Sequence, residues 1–583
     1  MKTSQSLQSR LYQRLEQAPQ RRAIAFYDAK RRFSWSNFEQ LCARAAGYGM
    51  ALAEQGLGRG DVCVILLPSG ELAANITLGV LLLGAVPLLV SPTVIGGGLA
   101  GLPRLLQSII RRTRTPIVVC PDWLDGMRDE LERGHLRTRF LFGLDHPVGS
   151  TEPDHLPVVI PREGDVAAMQ LTSGTTGRPR ICVWEHRAVL AALDGMAAAM
   201  ELSEEDVCFN WTPLYHDMGL VNNFFLCLTS GVPLALLNVE EFVKRPSLWM
   251  RGLSDTEATV SWSPNFGFAL ATHRVTDEEL EGIRLDQVRS LWNAAERIHL
   301  STVLAFHQRY EPYGLRPEAS RTNFGCAENI GGATFSDPKR PFAVEYVDGR
   351  LLHGKRIART VAEGAGSHGN SPIVSVGKAN PGIQVLIQSR TGKALPDGHV
   401  GEITLRTPSR MQGYLGEARA TQRALRGDLL RTGDLGYLRG GDLFWVGRLK
   451  ERINIRGQKL DPSDFEGILF TVEGLREGCF VAFGVDDEEQ GTQRLIIVAE
   501  VREPLRRKLD EISAEIVKQC FLNLGVTVKE VLLVGPRTLP KTSSGKRRHR
   551  HFRRLYVEGR LRPYVERATD DQDSGGHRAP SVQ

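Results

Sequence analysis

Along most of the chain, short apolar runs rich in β-branched residues alternate with longer amphipathic stretches. "VCVILL" at 62–67, "IVVC" at 117–120, "VPLALL" at 232–237 and "IIVAEV" at 496–501 are runs of this kind. Short buried strands alternating with helices predict α/β layers built on mainly parallel sheets. From about 374 to 447 the rhythm changes. "GIQVLIQSRTGKALPDGHVGEITL" sets short strands between Gly and Pro turns and predicts a small β-rich unit. After "RG" at 456–457 the alternation resumes on a smaller scale. A second, α+β domain is therefore expected over 449–565, behind an N-terminal domain of 1–448. The polar stretch 566–583 lacks apolar periodicity and reads as a disordered tail.

One uncharged stretch, "LAANITLGVLLLGAVPLLV" from Leu72 to Val90, is about long enough to span a bilayer. It carries Asn75, Gly79, Gly84 and Pro87, and its end turns β-like. A buried helix running into a central strand fits it better, and no membrane span is expected. The N-terminal stretch has no apolar h-region, so no signal peptide is expected either.

Composition changes this picture little. The 583 residues are 42% hydrophobic and 24% charged, which suits a globular chain of several compact units. A net charge of +6 does not by itself call for a polyanionic partner. Nine cysteines without a C-x-x-C pair argue for reduced thiols, and against a zinc site or a disulfide framework. A cytoplasmic location follows from that reading.

The candidate chemistry begins at 170–180, "QLTSGTTGRPR". Small residues let backbone N–H groups converge, hydroxyls donate and arginines neutralise charge, so the loop can hold phosphate. It is not a P-loop, because no Gly-Lys-Ser/Thr follows; a plain surface turn is the alternative. Four further motifs share its vocabulary. "WTPLYHDMGL" at 211–220 carries His216 and Asp217, a pair that is as readily structural as catalytic. "NFGCAEN" at 323–329 sets Glu328 on an aromatic-glycine turn, where a carboxylate can hold magnesium and Phe324 offers a base a flat face. "LLRTGDLGYL" at 429–438 places Asp434 on a tight turn, able to accept two ribose hydroxyls. "LPKTSSGKRRHR" at 539–550 presents Lys546 on a loop.

In this order and spacing the motifs resemble the superfamily of adenylate-forming enzymes, over about residues 20–560. Within it "PLYHDMGL", "RTGDLGYL", "GRLKERINIRG" and "LPKTSSGK" are most similar to the fatty acyl-AMP ligase branch. "LWNAAERI" at 291–298 resembles that branch's Asn-Gly-Ala-Glu motif, with Ala294 in place of glycine. Residues 333–376 fall about where the branch carries an insertion. The resemblance implies a large N-terminal domain of two α/β/α subdomains plus a β-barrel, and a small mobile α+β C-terminal domain. It implies ATP and Mg2+ as cofactors, a carboxylic acid substrate, fatty or otherwise hydrophobic, and a holo acyl carrier protein or carrier domain as acceptor.

Residue by residue, it implies that Thr172, Ser173, Gly174, Thr175, Thr176 and Gly177 cradle the β- and γ-phosphates. Asn293, Ala294, Ala295, Glu296, Phe324 and Gly325 would enclose adenine, and Asp434 with Arg448 the ribose. Glu328 would bind magnesium, Lys546 would bridge the carboxylate and the α-phosphate, and Lys450 would be the hinge. His216 joins Lys546 and Glu328 among the expected catalytic residues. It stands where peptide-synthetase domains hold an amino group with Asp, which disfavours amino acids as substrates. Phe224, Phe225, Phe266 and Phe268 are candidates for an acyl tunnel. The chain departs from the superfamily at Pro179-Arg180-Ile181, usually Pro-Lys-Gly, and at Phe324, where tyrosine is common.

Other readings stay open at this point: an acyl-CoA synthetase, a stand-alone adenylation enzyme for an aryl, small or amino acid, or an inactive carrier-protein scaffold. The basic run from Lys546 to Arg554 raises a nucleic-acid-binding protein, but no recognised binding motif accompanies it, so no nucleic-acid partner is expected.

Overall fold

A computed structural model describes residues 6–565, apart from 93–100, 134–136, 145–158, 173–178, 364–369, 450, 452, 456–457, 471, 488–491, 506, 525 and 543–545. The expectations for Ser173 to Gly177, for Lys450 and for the tail 566–583 lie outside the described residues.

Two large sheets dominate. The first runs Lys378–Ala379, Gly331–Phe335, Ser320–Cys326, Ser290–Ala294, Val260–Pro264, Cys208–Asn210, Leu234–Leu237, Arg22–Tyr27 and Trp35–Asn37. Its interior pairs are parallel, and antiparallel strands close both edges. The second runs Gly413–Tyr414, Ile181–Glu185, Val166–Leu171, Val86–Leu89, Val62–Ile65, Ile117–Cys120 and Arg139–Phe142. Its strands Val62–Ile65, Val86–Leu89 and Ile117–Cys120 are buried along their whole length, which is why they read as unbroken apolar runs.

The uncharged stretch resolves into helix Glu71–Leu82 and strand Val86–Leu89, as its glycines and proline suggest. The helix lies against helix Phe38–Glu54 so closely that a Cβ on Gly79 would stand 2.5 Å from the Ala45 carbonyl oxygen. No helix among the described residues is long and apolar enough to cross a membrane.

The β-rich unit is an antiparallel sheet of Gln384–Gln388, Gly401–Arg406, Leu429–Arg439, Leu425–Arg426 and Asp442–Arg448. Beside it, within the expected insertion, Val344–Asp348 and Asn370–Val374 form a two-stranded hairpin. The small C-terminal domain is built on a sheet of Leu475–Asp487, Thr492–Val501 and Val528–Val534. Alternate residues of its strands face opposite ways. Ile497 and Ala499 pack towards helices Pro462–Leu469 and Leu509–Leu524, while Ile496 and Val498 pack towards helix His549–Val557.

Candidate functional site

The ends of three strands supply one wall of a cavity of about 490 Å3. At the end of Ser290–Ala294 the backbone turns sharply. Ala294 is still extended, and Ala295 takes φ +69°. The left-handed conformation costs an alanine roughly 1–2 kcal/mol, and here it swings Glu296 into the cavity. The substitution in the Asn-Gly-Ala-Glu-like motif thus falls at a position that needs no glycine. Glu296 Oε1 accepts a bond from the Phe266 N–H at 2.6 Å. Burial raises the pKa of its carboxyl, against the pull of Arg547, Lys541 and Lys546. Asn293 stands one layer back, its Nδ2 donating to Asn265 Oδ1 at 3.1 Å.

The strand Ser320–Cys326 brings Phe324 to the cavity, 7% exposed. Next to it Gly325 is pressed against the neighbouring strand, and a Cβ there would lie 2.3 Å from the Gly331 carbonyl oxygen. The chain then enters the short turn Ala327–Asn329 that carries Glu328. That turn is pinned from two sides. Trp184 Nε1 donates to the Ala327 carbonyl at 2.9 Å, and the Met411 N–H donates to the Glu328 carbonyl at 2.9 Å. The Tyr414 hydroxyl donates to Glu328 Oε1 at 2.7 Å. Burial first, then the adjacent carboxylate, hold the Tyr414 phenol protonated far above its ordinary range.

Asp434 and Arg448 face each other across antiparallel strands, with Nε 3.0 Å from Oδ1. Asp434 is 2% exposed, and among the described residues its Oδ1 has no hydrogen bond of good alignment, so a lone pair is left for a ligand hydroxyl. Burial raises the pKa of its carboxyl, with Arg448 opposing. The Arg448 N–H donates to Asp461 Oδ2 at 3.0 Å, joining this strand to the C-terminal domain.

Lys546 enters the same cavity from a loop closed on itself. The Thr542 N–H donates to the Lys546 carbonyl at 2.8 Å, and the Lys546 N–H to Thr542 Oγ1 at 2.9 Å. Its ammonium has no hydrogen bond or ion pair among the described residues. Burial lowers its pKa, and Arg448 adds to this, while Asp217, Glu296 and Asp434 oppose. Behind the lysine, His549 Nε2 lies 2.5 Å from Glu466 Oε1, and Arg547 Nη1 lies 3.2 Å from Glu466 Oε2. Burial alone would lower the His549 pKa, but Glu466 outweighs it and holds the value at about 9. Arg297, next to Glu296, reaches across to pair with Asp464 of helix Pro462–Leu469.

His216 caps the short helix Asp217–Gly219, its Nδ1 accepting from the Met218 N–H at 3.1 Å and lying 2.7 Å from Asp217 Oδ1. Burial would raise the Asp217 pKa; His216, and then Lys546, hold it at about 2. A second cavity, of about 630 Å3, adjoins the first, and His216, Met218, Phe266 and Ala295 border both. Of the four candidate tunnel aromatics, Phe266 lines these two cavities and the other three line neither. Phe224, Phe225 and Phe268 are at most 2% exposed and fill the two main cores. An aromatic residue gives no sequence signal of the direction it faces, and burial in a core is its commonest fate.

The structure thus gathers Thr172, Ala294, Ala295, Glu296, Phe324, Gly325, Glu328, Asp434, Arg448, His216 and Lys546 around one cavity. Among the described residues no cluster of three metal-ligating side chains occurs. Glu328 nonetheless fits magnesium. One of its oxygens is fixed by Tyr414 and the other has no partner among the described residues, and magnesium takes one or two carboxylates together with substrate phosphates. Sequence reasoning missed Tyr414, Glu417 and the Arg297–Asp464 pair. Arg180 was visible only as a departure from a motif.

Known proteins resemble the chain in sequence and in fold. The model of the family described as AMP-binding enzyme matches residues 11–415. The long-chain-fatty-acid–AMP ligase FadD26 of Mycobacterium marinum is 29% identical over 577 residues, covering 93% of this chain and 96% of that protein. The 4-hydroxyphenylalkanoate adenylyltransferase of Mycobacterium tuberculosis is 30% identical over 421 residues, covering 67% and 66%. A solved structure from work on fatty acyl-adenylate ligases of E. coli and L. pneumophila superposes with a TM-score of 0.85 at 26% identity, covering 95% of this chain and 98% of that one.

Proposed function

Because the chain belongs to the AMP-binding enzyme family, we propose that it condenses a hydrophobic carboxylic acid with ATP and passes the acyl group to the phosphopantetheine thiol of an acyl carrier protein. The convergence of Lys546, Asp434 with Arg448, and Glu328 on one cavity carries this reading. A carboxylate oxygen attacks the α-phosphorus, the bond from that phosphorus to the bridging oxygen breaks, and pyrophosphate leaves. Such a displacement needs positioning and charge stabilisation more than covalent help. Lys546 supplies a cation where charge builds up between the carboxylate and the α-phosphate. Asp434 accepts from the ribose hydroxyls, oriented by Arg448, and Phe324 lies against the base. Thr172 and residues 173–177 hold the outer phosphates. Magnesium, when bound, offsets phosphate charge, and Glu328 is the residue that holds it. A pivot at Lys450 then withdraws Lys546 and admits the acceptor thiol. The thiol sulfur loses its proton and bonds to the acyl carbon as the bond from that carbon to the phosphate oxygen breaks, and AMP leaves.

A second substrate class has a specific observation behind it. Asn222, 4% exposed, lines the cavity beside Gly331, and its Oδ1 has no hydrogen-bond partner among the described residues. An unpaired buried amide suits an acid that carries a hydroxyl, as the named substrates of the hydroxyphenylalkanoate relative do.

Acid-dependent exchange of pyrophosphate into ATP tests the proposal, run with dodecanoate, 3-(4-hydroxyphenyl)propanoate, 3-phenylpropanoate and an amino acid. Exchange with dodecanoate supports the fatty acid reading. Exchange with the hydroxylated acid but not with its phenyl analogue moves the substrate to the second class. No exchange with any acid defeats the adenylation reading. Transfer to coenzyme A as fast as to a holo carrier protein defeats the acceptor.

A further inference from the structure

Arg180 stands where the phosphate loop departs from the superfamily's usual lysine, and the structure gives that arginine contacts that draw on the planar shape of its guanidinium. The Thr172 N–H donates to the Arg180 carbonyl at 2.8 Å and the Arg180 N–H donates to Thr172 Oγ1 at 3.1 Å, so its backbone closes the neck of the loop. Its side chain then turns to the neighbouring strand. Nε donates to Glu417 Oε2 at 3.1 Å, and the guanidinium carbon lies 5.1 Å from the centre of the Tyr414 ring. Glu417 is held from the other side by Arg112, whose Nη1 lies 3.4 Å from Oε1. Strand Gly413–Tyr414 pairs with Ile181–Glu185, which begins immediately after Arg180, so the arginine and the tyrosine ring are kept adjacent by sheet register. The chain of contacts ends at the Tyr414 hydroxyl on Glu328 Oε1.

Charge alone does not explain this arrangement. A planar guanidinium can offer an edge to a carboxylate while laying its face on an aromatic ring in one fixed geometry, whereas an ammonium is a compact point charge on a flexible stem and fixes neither partner's direction. We propose that Arg180 is a positioning residue: with Glu417 it fixes the Tyr414 ring, and through the Tyr414 hydroxyl it sets the direction in which Glu328 presents its second oxygen. This rests on the reading of Glu328 as the magnesium-holding carboxylate. It assigns the departure at 180 to the metal side of the site and not to direct contact with phosphate.

Calorimetric binding of ATP, with magnesium and with EDTA, separates the two roles and needs no acid substrate. The proteins are the wild type, Arg180→Lys, Glu417→Gln, the double variant and Tyr414→Phe. In EDTA all are expected to bind ATP within about twofold of the wild type. With magnesium, the gain in affinity shown by the wild type should shrink about tenfold in each single variant, and the double variant should be no worse than the weaker single, as expected for members of one network. The free magnesium giving half-maximal pyrophosphate exchange should rise in the same order. Tyr414→Phe removes only a hydroxyl and carries the test if either charge variant unfolds. An Arg180→Lys protein that matches the wild type in both media overturns the proposal. So does one that loses ATP affinity in EDTA while Glu417→Gln does not, because Arg180 would then be a direct phosphate cation. A wild type that binds no ATP in either medium would sink the adenylation reading itself and this one with it, an outcome distinct from both.

Discussion

The two sides of the cavity are built differently. Asp434 lies within strand Leu429–Arg439, and Glu328 and Glu296 lie just beyond strand ends. Their positions follow from sheet register and from the Tyr414 and Phe266 donors that fix the two glutamates. Lys546 sits on a loop whose place depends on ion pairs: Arg547 and His549 with Glu466 behind it, and Arg297 with Asp464 across to the large domain. A wall made of strands and the turns that follow them keeps its geometry as long as the sheet exists. A lysine held by charge pairs can be withdrawn at the cost of a few contacts, which suits a group needed in only one half of a two-step reaction.

The contrast is sharpest in kinetics. Lys546→Ala should lower the turnover of acid-dependent exchange by about a thousandfold, with the KM for ATP little changed, since its cation acts where charge develops. Asp434→Asn should act the other way and raise the KM for ATP by about tenfold with a smaller loss of turnover. Equal effects on both parameters in both variants would remove the distinction between the walls. At the next level, Arg297→Met leaves Asp464 buried without its cation. Breaking a buried pair from one side costs about 3–5 kcal/mol. Part of that loss should appear as faster amide exchange in the loop around Lys546, with no change in the strand Leu429–Arg439; hydrogen-exchange mass spectrometry reads both segments in one experiment.

The smallest effect is a pH dependence. His549 has a folded-state pKa near 9, raised from 6.5, so its stabilisation is complete below about 6.5 and is lost as pH rises through about 9. Wild type and His549→Gln should therefore differ in stability by on the order of 2 kcal/mol at pH 6 and converge by pH 10, as followed by thermal melts. A constant gap across that range would mean that the imidazole contributes packing and not charge.

Much of the fold was legible because its signals are local. The apolar run at 62–67 is a buried central strand, and the uncharged stretch at 72–90 is a helix and a strand, as Gly84 and Pro87 indicated. Asp434, Glu328 and Lys546 were legible because each sits in a short recognisable motif, although the tight turn expected at Asp434 is an irregular point, with Gly433 at φ +75°, inside strand Leu429–Arg439. The contacts that orient them were not. Arg180 and Glu417 are 237 residues apart in sequence and meet only through sheet pairing, which no local pattern encodes. The same holds for Arg297, whose partner lies in another domain. Phe224, Phe225 and Phe268 show the opposite failure, since a run of aromatics near a motif suggests a lining while packing decides where each ring points.

The partition shared by the two cavities has a practical consequence for anyone wishing to retailor the protein. His216, Met218, Phe266, Ala295 and Phe470 line both chambers, so the same side chains shape both volumes. Trimming Phe266 to admit a bulkier guest on one side also removes the wall of the other, and a blocking group placed in one chamber presses on its neighbour. The two volumes cannot be tuned as independent design variables; fitting a small molecule to either one means choosing a shape for both.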